Sequence, residues 1–257
     1  MSNLSVLQNI TEVRSDPYPY VCVEGAMPDR FYKELEATFP EDMIVNNTQP
    51  HDGGICYRFK CKEAQMWEPP AIWQDFFRYH SSPEYFRACA ELFATHIVAA
   101  YGEEFYENLK TKPVSVRDVD ASGHYVTDCQ FVVHEPVDQT GTSRTPHVDN
   151  PVEIYAGLLY MRKQADMADG GNFTVHRVTG QITEVNKSLG RQVDNSLHEP
   201  VFEVPYRANN FCMFLNVKDS VHSVTPRIAP TERRHSINII GEFNGTGKMW
   251  KVKEIKN

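Results

Sequence analysis

From residue 113 to residue 243 the chain breaks into short β-type runs, and this segmentation constrains the fold more than any other feature. The runs are rich in β-branched and aromatic residues and are separated by clusters of Gly, Pro, Asn and Asp. Short strands at such spacing are typical of a sandwich or barrel. The runs cover residues 114–119, 129–134, 154–161, 172–178, 201–204, 211–215 and 235–243. We therefore predict a mainly β core over residues 113–245.

The first 112 residues show helical patterns instead. The clearest begins at Ser82, an N-cap candidate that is followed by Pro83 at the first turn, and it runs to Gly102. Its apolar residues recur along one face, as in a helix that packs on a sheet. Helices are predicted over residues 28–39, 70–79 and 82–102, and a loop over 41–68. We expect residues 1–257 to form a single domain, in which the helical region supports the β core.

Charge and composition narrow the functional class. The formal net charge of −8 argues against a large nucleic-acid interface, since nucleic-acid-binding domains are usually basic. No run approaches the roughly 20 apolar residues of a membrane span, and the first residues lack the apolar stretch of a signal peptide. The six cysteines form no C-x-x-C pair. The sequence predicts a cytoplasmic protein with reduced thiols and no membrane or nucleic-acid partner.

One long segment, residues 179–200, is polar and shows no periodicity. A loop of this length in a compact domain is often a lid or a binding loop, although a plain surface insertion fits the sequence equally well. We predict that it becomes ordered over bound substrate.

The strongest chemical signal is the sequence PHVDNP at residues 146–151. Alternate residues of an extended segment point to the same side, so His147 and Asp149 can direct an imidazole and a carboxylate at one point. A third ligand is available in His222, which follows a later β-type run. Two histidines and one carboxylate with open positions are the facial triad of non-haem Fe(II) oxygenases.

An H-x-D triplet by itself is common by chance, and a lone histidine is more often a surface or hydrogen-bonded residue. The order of the surrounding features is more specific. After the H-x-D come a β-type run with Gly170-Gly171, then a run that ends before His222, then an Arg-x-Ser.

In this order the segment 147–243 resembles the catalytic core of the 2-oxoglutarate/Fe(II) dioxygenase superfamily, and most closely its prolyl-hydroxylase-like branch. The matching pieces are HVDNP (147–151), GLLYM (157–161), GGNFTV (170–175), NNFCMFLN with VHSVTP (209–226) and RRHSINIIGEF (233–243). The resemblance implies a double-stranded β-helix, or jelly roll, in agreement with the predicted strands. The chain departs from the pattern in two lengthened loops, residues 179–200 and the stretch between His222 and Arg234.

The resemblance also implies roles for individual residues. His147, Asp149 and His222 would bind iron, and Arg234 would pair with the distal carboxylate of 2-oxoglutarate, since an arginine fork can take a carboxylate bidentately. Strand alternation places Arg234, Ser236 and Asn238 on one face and Arg233 on the other, so Ser236 can add a hydroxyl donor. Tyr160 matches a tyrosine that contacts the co-substrate in this branch, and a core aromatic is an equally good interpretation. Gln130 and His134 could line the cavity, and Arg144 could meet an anionic substrate or remain a solvated loop charge.

The implied activity is oxidation of an unactivated C–H with Fe(II), 2-oxoglutarate and O₂ on a small-molecule or peptidyl substrate. Hydroxylation is the simplest outcome, and desaturation, ring closure and demethylation remain open. Asp149 counts against halogenation, because halogenases of the superfamily replace this carboxylate with a small residue. Two alternatives remain. A cupin-type metal-binding jelly roll also uses histidine-rich strands but needs no 2-oxoglutarate, and a binding protein that has lost activity would have no reason to keep the triad.

Overall fold

Strands predominate in the computed structural model, which describes residues 4–51, 55–64, 68–137 and 144–256. The described strands are β1 (Tyr20–Val23), β2 (Cys56–Phe59), β3 (Val114–Val116), β4 (Tyr125–His134), β5 (Arg144–His147), β6 (Glu153–Tyr160), β7 (Phe173–Val178), β8 (Glu184–Asn186), β9 (His198–Val204), β10 (Phe211–Leu215), β11 (His222–Val224), β12 (Arg234–Phe243) and β13 (Lys253–Ile255). The α-helices are α1 (Asp29–Ala37), α2 (Glu41–Asn47), α3 (Cys61–Ala64), α4 (Ala71–His80), α5 (Pro83–Leu92), α6 (Ala94–Tyr101) and α7 (Glu103–Thr111).

Three sheets contain these strands. The larger has the order β1-β10-β6-β12-β4-β2, with β3 beside β4, and the smaller has the order β5-β11-β7-β9. The third is the parallel pair β8 and β13. Within the two main sheets the antiparallel pairs are nested: β4 with β12, β5 with β11, β6 with β10, and β7 with β9.

The larger sheet is covered by helices on one side. Phe131 of β4 packs against Trp73 and Phe77 of α4, with ring centroids 4.6 and 4.8 Å apart. Ile237 and Ile239 of β12 lie in the same buried core. Alternate residues of β12 face the other way, toward the smaller sheet, and line a cavity. The helices therefore cover one face of this sheet, and its second face lines the cavity.

Helix positions differ from the prediction at three places, one of which is α7, where no helix was predicted. Ser82 caps α5 as expected, since its Oγ accepts a hydrogen bond from the backbone N–H of Tyr85 at 3.1 Å. The single helix predicted over residues 82–102 is wrong, because Phe93, at φ −100° and ψ 12°, separates α5 from α6. The loop predicted over residues 41–68 is also wrong, since it contains α2, β2 and α3, which are short and pack onto the sheet.

The polar segment 179–200 is not a free loop. It contains β8, two short 3₁₀ turns and the start of β9, and it buries Ile182, Val185 and Val193. The backbone N–H of Val193 donates to the carbonyl of Pro146 at 3.0 Å, so the segment extends the edge of β5. The segment shows no periodicity in the sequence because its buried residues are single side chains separated by turns. Within the described residues, no helix is long and apolar enough to cross a membrane.

Candidate metal centre and adjoining cavity

Strand pairing brings the two predicted histidine ligands together. His147, the last residue of β5, lies directly opposite His222, the first residue of β11, and their ring centroids are 4.2 Å apart. Asp149 follows two residues after His147, where the chain leaves the strand. The sheet register thus explains how residues 75 positions apart, at 147 and 222, meet at one point.

The three side chains form a compact donor set. Asp149 Oδ1 lies 3.6 Å from His147 Nε2, and Asp149 Oδ2 lies 3.6 Å from His222 Nε2. One donor atom from each residue lies within 4.8 Å of the other two. Among the described residues this is the one group of three or more His, Cys, Asp or Glu with such spacing. Two imidazoles and a carboxylate fit a divalent transition metal with open positions.

Hydrogen bonds to the backbone orient both rings. Nδ1 of His147 lies 2.7 Å from the carbonyl oxygen of Thr145, and Nδ1 of His222 lies 3.0 Å from that of Ser220. A carbonyl can only accept, so each Nδ1 donates, and each Nε2 keeps its lone pair toward the centre. Such an outer hydrogen bond fixes the tautomer that a metal-binding histidine needs.

Electrostatics keep the donor set deprotonated. Burial lowers the pKa of His147, helped by the charge of Arg144, and burial beside His147 lowers the pKa of His222 to about 3. Burial opposes ionisation of Asp149, but the two histidines and Arg144 together hold the pKa of its carboxyl below the ordinary value. Neutral imidazoles and an ionised carboxylate are the forms that bind a metal ion.

The triad opens onto a cavity of about 300 Å³ between the two main sheets. Residues of both sheets line it, among them Ala156 and Leu158 of β6 and Phe173 of β7. Phe173 and Phe214 also pack against the ring of His222, with centroids 5.2 and 4.5 Å away. One wall is therefore apolar and fixes the histidine, while the others carry polar and charged groups.

Arg234 is the charged residue deepest in this cavity. Its side chain is 2% exposed, and its Nε and Nη2 donate to the carbonyl of Gly171, each at 3.3 Å. The rings of Tyr160 and Tyr206 lie 5.0 and 4.9 Å from its guanidinium carbon. None of these partners is an anion, and a buried cation without one is costly.

The Gly170-Gly171 pair of the sequence motif explains how that carbonyl reaches Arg234. Both glycines have positive φ, +82° and +74°. A Cβ at position 170 would lie 1.9 Å from the carbonyl oxygen of Pro226, so only glycine fits there. The pair lets the chain pass tightly between Pro226 and Arg234.

Two further predicted co-substrate contacts lie on the same face. Ser236 and Asn238 line the cavity beside Arg234, and Tyr160 lies opposite Ser236 in the register of β6 and β12. The Ser236 Oγ and Tyr160 Oη atoms are buried and have no hydrogen-bond partner among the described residues. Arg233 faces outward, where it donates to Glu135 at 3.0 Å and to Glu41 at 3.1 Å.

Of the three remaining candidates from the sequence, His134 and Arg144 line the cavity and Gln130 does not. His134 lines the cavity, whereas the amide of Gln130 donates to Asp128 at 2.6 Å and does not belong to the lining. Arg144 is not a solvated loop charge: its Nε donates to His147 Nε2 at 2.8 Å. Sequence reasoning missed Arg58, Glu153 and Arg191, which also line the cavity. Arg58 lies on β2, inside the segment interpreted as a loop, and the other two stand outside any motif.

Comparison with known proteins adds a fold-level similarity. No protein-family model matches the sequence, and no curated protein is similar to it by sequence. A prolyl-4-hydroxylase from Pseudomonas putida is 14% identical, with 88% of this chain and 93% of that chain covered and a TM-score of 0.48. SnoN, a non-heme alpha ketoglutarate dependent epimerase from nogalamycin biosynthesis, is 13% identical over 89% and 82%, with a TM-score of 0.48.

A prolyl hydroxylase from Trichoplax adhaerens, solved with a hypoxia inducible factor peptide, is 10% identical over 87% and 83%, with a TM-score of 0.45. The three solved structures are thus two prolyl hydroxylases and one non-heme alpha ketoglutarate dependent epimerase.

Proposed function

We propose that the protein is a 2-oxoglutarate-dependent Fe(II) oxygenase that acts on a small or medium-sized substrate. The observation that carries this proposal is the placement of two complementary groups in one cavity. A His-Asp-His donor set lies on one side of the cavity. The same lining includes Arg234, a buried arginine that has no anionic partner among the described residues.

The donor set fits iron(II). The Nε2 lone pairs of His147 and His222 point toward Asp149. Both histidines lie on strands, and Asp149 lies two residues beyond the end of β5. Three protein ligands leave other coordination positions for exogenous ligands, as in non-haem Fe(II) oxygenases.

The other side of the cavity fits the co-substrate. 2-Oxoglutarate has two carboxylates, and Arg234 presents a planar fork that suits one of them. The unpartnered hydroxyl of Ser236 can add a hydrogen bond, and so can that of Tyr160. Binding would therefore give Arg234 an anionic partner and give the hydroxyls of Ser236 and Tyr160 the hydrogen-bond partner that they lack among the described residues.

The strand pairing supports the predicted scaffold. Eight strands of the two main sheets pair in a nested order: β4, β5, β6, β7, β9, β10, β11 and β12. In this set the first strand pairs with the last, the second with the seventh, the third with the sixth and the fourth with the fifth. This nested order is that of an eight-stranded jelly roll, and we include the double-stranded β-helix in the proposal.

When bound, iron with 2-oxoglutarate and O₂ supplies oxidation of a substrate C–H, with release of succinate and CO₂. The residues of the chain hold and orient the reactants. His147, Asp149 and His222 would hold the metal, Arg234 and Ser236 would orient the co-substrate, and the wall of Phe173 and Phe214 would exclude water. Retention of a carboxylate at Asp149 favours hydroxylation over halogenation.

Succinate release tests this function. The iron-loaded protein is incubated with 2-oxoglutarate, O₂ and panels of amino acids, peptides, sugars and natural-product scaffolds, and products are screened by mass for the gain of one oxygen atom. We expect succinate to form in proportion to an oxidised product. A tightly bound metal with no 2-oxoglutarate consumption for any panel would favour the cupin-type alternative.

A further inference from the structure

The guanidinium of Arg144 lies against the metal-binding group rather than in solvent. Its Nε donates to His147 Nε2 at 2.8 Å, and its Nη2 lies 4.0 Å from Asp149 Oδ1. The lone pair that accepts this hydrogen bond is the one that a metal ion would take. Metal binding would therefore remove the hydrogen-bond acceptor of Arg144. Its guanidinium would remain beside the metal-binding group without that acceptor.

Charge counting indicates what that acceptor is. In the loaded site the two charges of Fe(II), the carboxylate of Asp149, the two carboxylates of 2-oxoglutarate and the guanidinium of Arg234 sum to zero. Arg144 then adds a positive charge on the open side of the metal, where its side chain is 32% exposed. A positive group at the mouth of a small cavity favours an anionic ligand.

Neighbouring groups do not cancel this charge. Arg191, which also lines the cavity, is held by Glu254, with Nε 3.0 Å from Oε1. Glu153 is the second carboxylate of the lining, and burial together with the nearby charge of Asp149 raises its pKa above the ordinary value. Among the positive charges that act on the Glu153 carboxyl, that of Arg117 has a larger effect on its pKa than that of Arg144. Arg58 and His134 add further basic groups to the same lining.

We propose, on the basis of the proposed function, that the primary substrate carries a carboxylate and that Arg144 binds it beside the metal. A carboxylate matches the geometry of a guanidinium fork. Arg144 then fixes which C–H of the substrate faces the metal and selects acids over neutral analogues.

Binding measured without turnover tests this assignment. Zinc(II) has no redox chemistry, so zinc-loaded protein saturated with 2-oxoglutarate can be titrated by calorimetry with standard L-amino acids and short-chain fatty acids, each against its primary amide. Sugar phosphates form a separate arm. We expect acids to bind and their amides to bind at least about tenfold more weakly.

Variants assign the effect to a residue. Arg144→Gln should remove the preference for the acid while leaving 2-oxoglutarate affinity unchanged, and Arg144→Lys, which keeps the charge but not the fork, should fall between. Arg191→Gln is the matched control. It removes an equal charge from the same lining, but the arginine that it replaces is already paired with Glu254. It should retain the preference.

The remaining outcomes overturn the assignment. Equal binding of acids and amides, no binding of any acid, or preferential binding of sugar phosphates would contradict a carboxylate site. Loss of 2-oxoglutarate affinity in Arg144→Gln would place Arg144 in the co-substrate site instead. If the wild-type protein itself fails to bind 2-oxoglutarate when metal-loaded, the proposed function fails, and the substrate assignment fails with it.

Discussion

Nε of Arg144 donates a hydrogen bond to Nε2 of His147 over 2.8 Å, and the lone pair that accepts this hydrogen bond is the one that a metal ion would take. The two interactions exclude each other.

This competition predicts that Arg144→Gln binds metal more tightly. The variant no longer has to break a hydrogen bond at His147 and lacks a positive charge near the incoming ion, and we expect affinity for Zn(II) or Fe(II) to rise roughly three- to tenfold. Competition titration against a metal-sensitive dye measures it, with Arg191→Gln as the control for charge alone. Unchanged or weaker affinity in Arg144→Gln would mean that the hydrogen bond does not oppose the metal.

Removal of any one ligand should abolish metal binding and turnover. His147→Ala, Asp149→Ala and His222→Ala each leave two donors, and we expect each variant to lose succinate release while its circular dichroism spectrum stays that of the wild type. His96→Ala, a histidine on α6 whose Nε2 pairs with Ser15 Oγ at 2.8 Å, is the control and should retain metal. Wild-type product formation by His222→Ala would make the ligand assignment wrong.

The two adjacent arginines of β12 should differ sharply. Arg234→Ala removes the buried fork, and we expect the apparent 2-oxoglutarate requirement to rise roughly 100-fold or more, consistent with about 3 kcal/mol for truncating a desolvated charge pair. Arg233→Ala should change it little, because Arg233 pairs with Glu41 and Glu135 outside the cavity. Steady-state kinetics in 2-oxoglutarate compare the two, and the reverse ranking would contradict the cofactor face proposed here.

A buried histidine far from the triad predicts a pH-dependent stability. His80 is fully buried, accepts the N–H of Val6 at 3.3 Å, and burial lowers its pKa to about 3. The unfolded chain, with a histidine pKa near the ordinary 6.5, binds the proton first. Stability from this residue is therefore present above pH 6.5 and is lost as pH falls toward about 3.

The free energy of unfolding should fall by about 2 kcal/mol between pH 6.5 and about pH 5, at 1.36 kcal/mol per pH unit. Urea unfolding of the metal-free protein measures it, and His80→Gln should lose that much less than the wild type over the same interval. Parallel losses in the two proteins would show that His80 becomes protonated without unfolding.

The segment 179–200 should be protected before substrate arrives. The amide of Val193 bonds to the carbonyl of Pro146, and the side chains of Ile182 and Val185 are buried. Hydrogen exchange at Val193 should be slow in the metal-loaded protein without substrate. Fast exchange that slows only when substrate binds would restore the lid predicted from the sequence.

The local patterns predicted those parts of the fold that bury a regular face. The bounds of the strands predicted at 211–215 and 235–243 agree with the structure within one residue, because both are core strands with strong β-type composition. The short elements inside residues 41–68 were missed, since β2 has four residues and relies on β4 rather than on its own pattern. Packing, not propensity, defines such elements.

The same contrast applies to the cavity. The H-x-D spacing and strand alternation placed His147, Asp149 and the Arg234-Ser236-Asn238 face from the sequence, because both are local properties. The pairing of β5 with β11 that brings His222 to the other two is a property of topology. The position of Arg144 over His147 depends on a side-chain contact that no periodicity reports.

Metal-dependent binding of 2-oxoglutarate tests the account most directly. Under anaerobic conditions 2-oxoglutarate is titrated by calorimetry into iron(II)-loaded protein, metal-free protein and His222→Ala. We predict that the iron-loaded protein binds one equivalent and that the other two proteins bind far more weakly. Equally tight binding without metal, or tight iron binding with no affinity for 2-oxoglutarate, would contradict it.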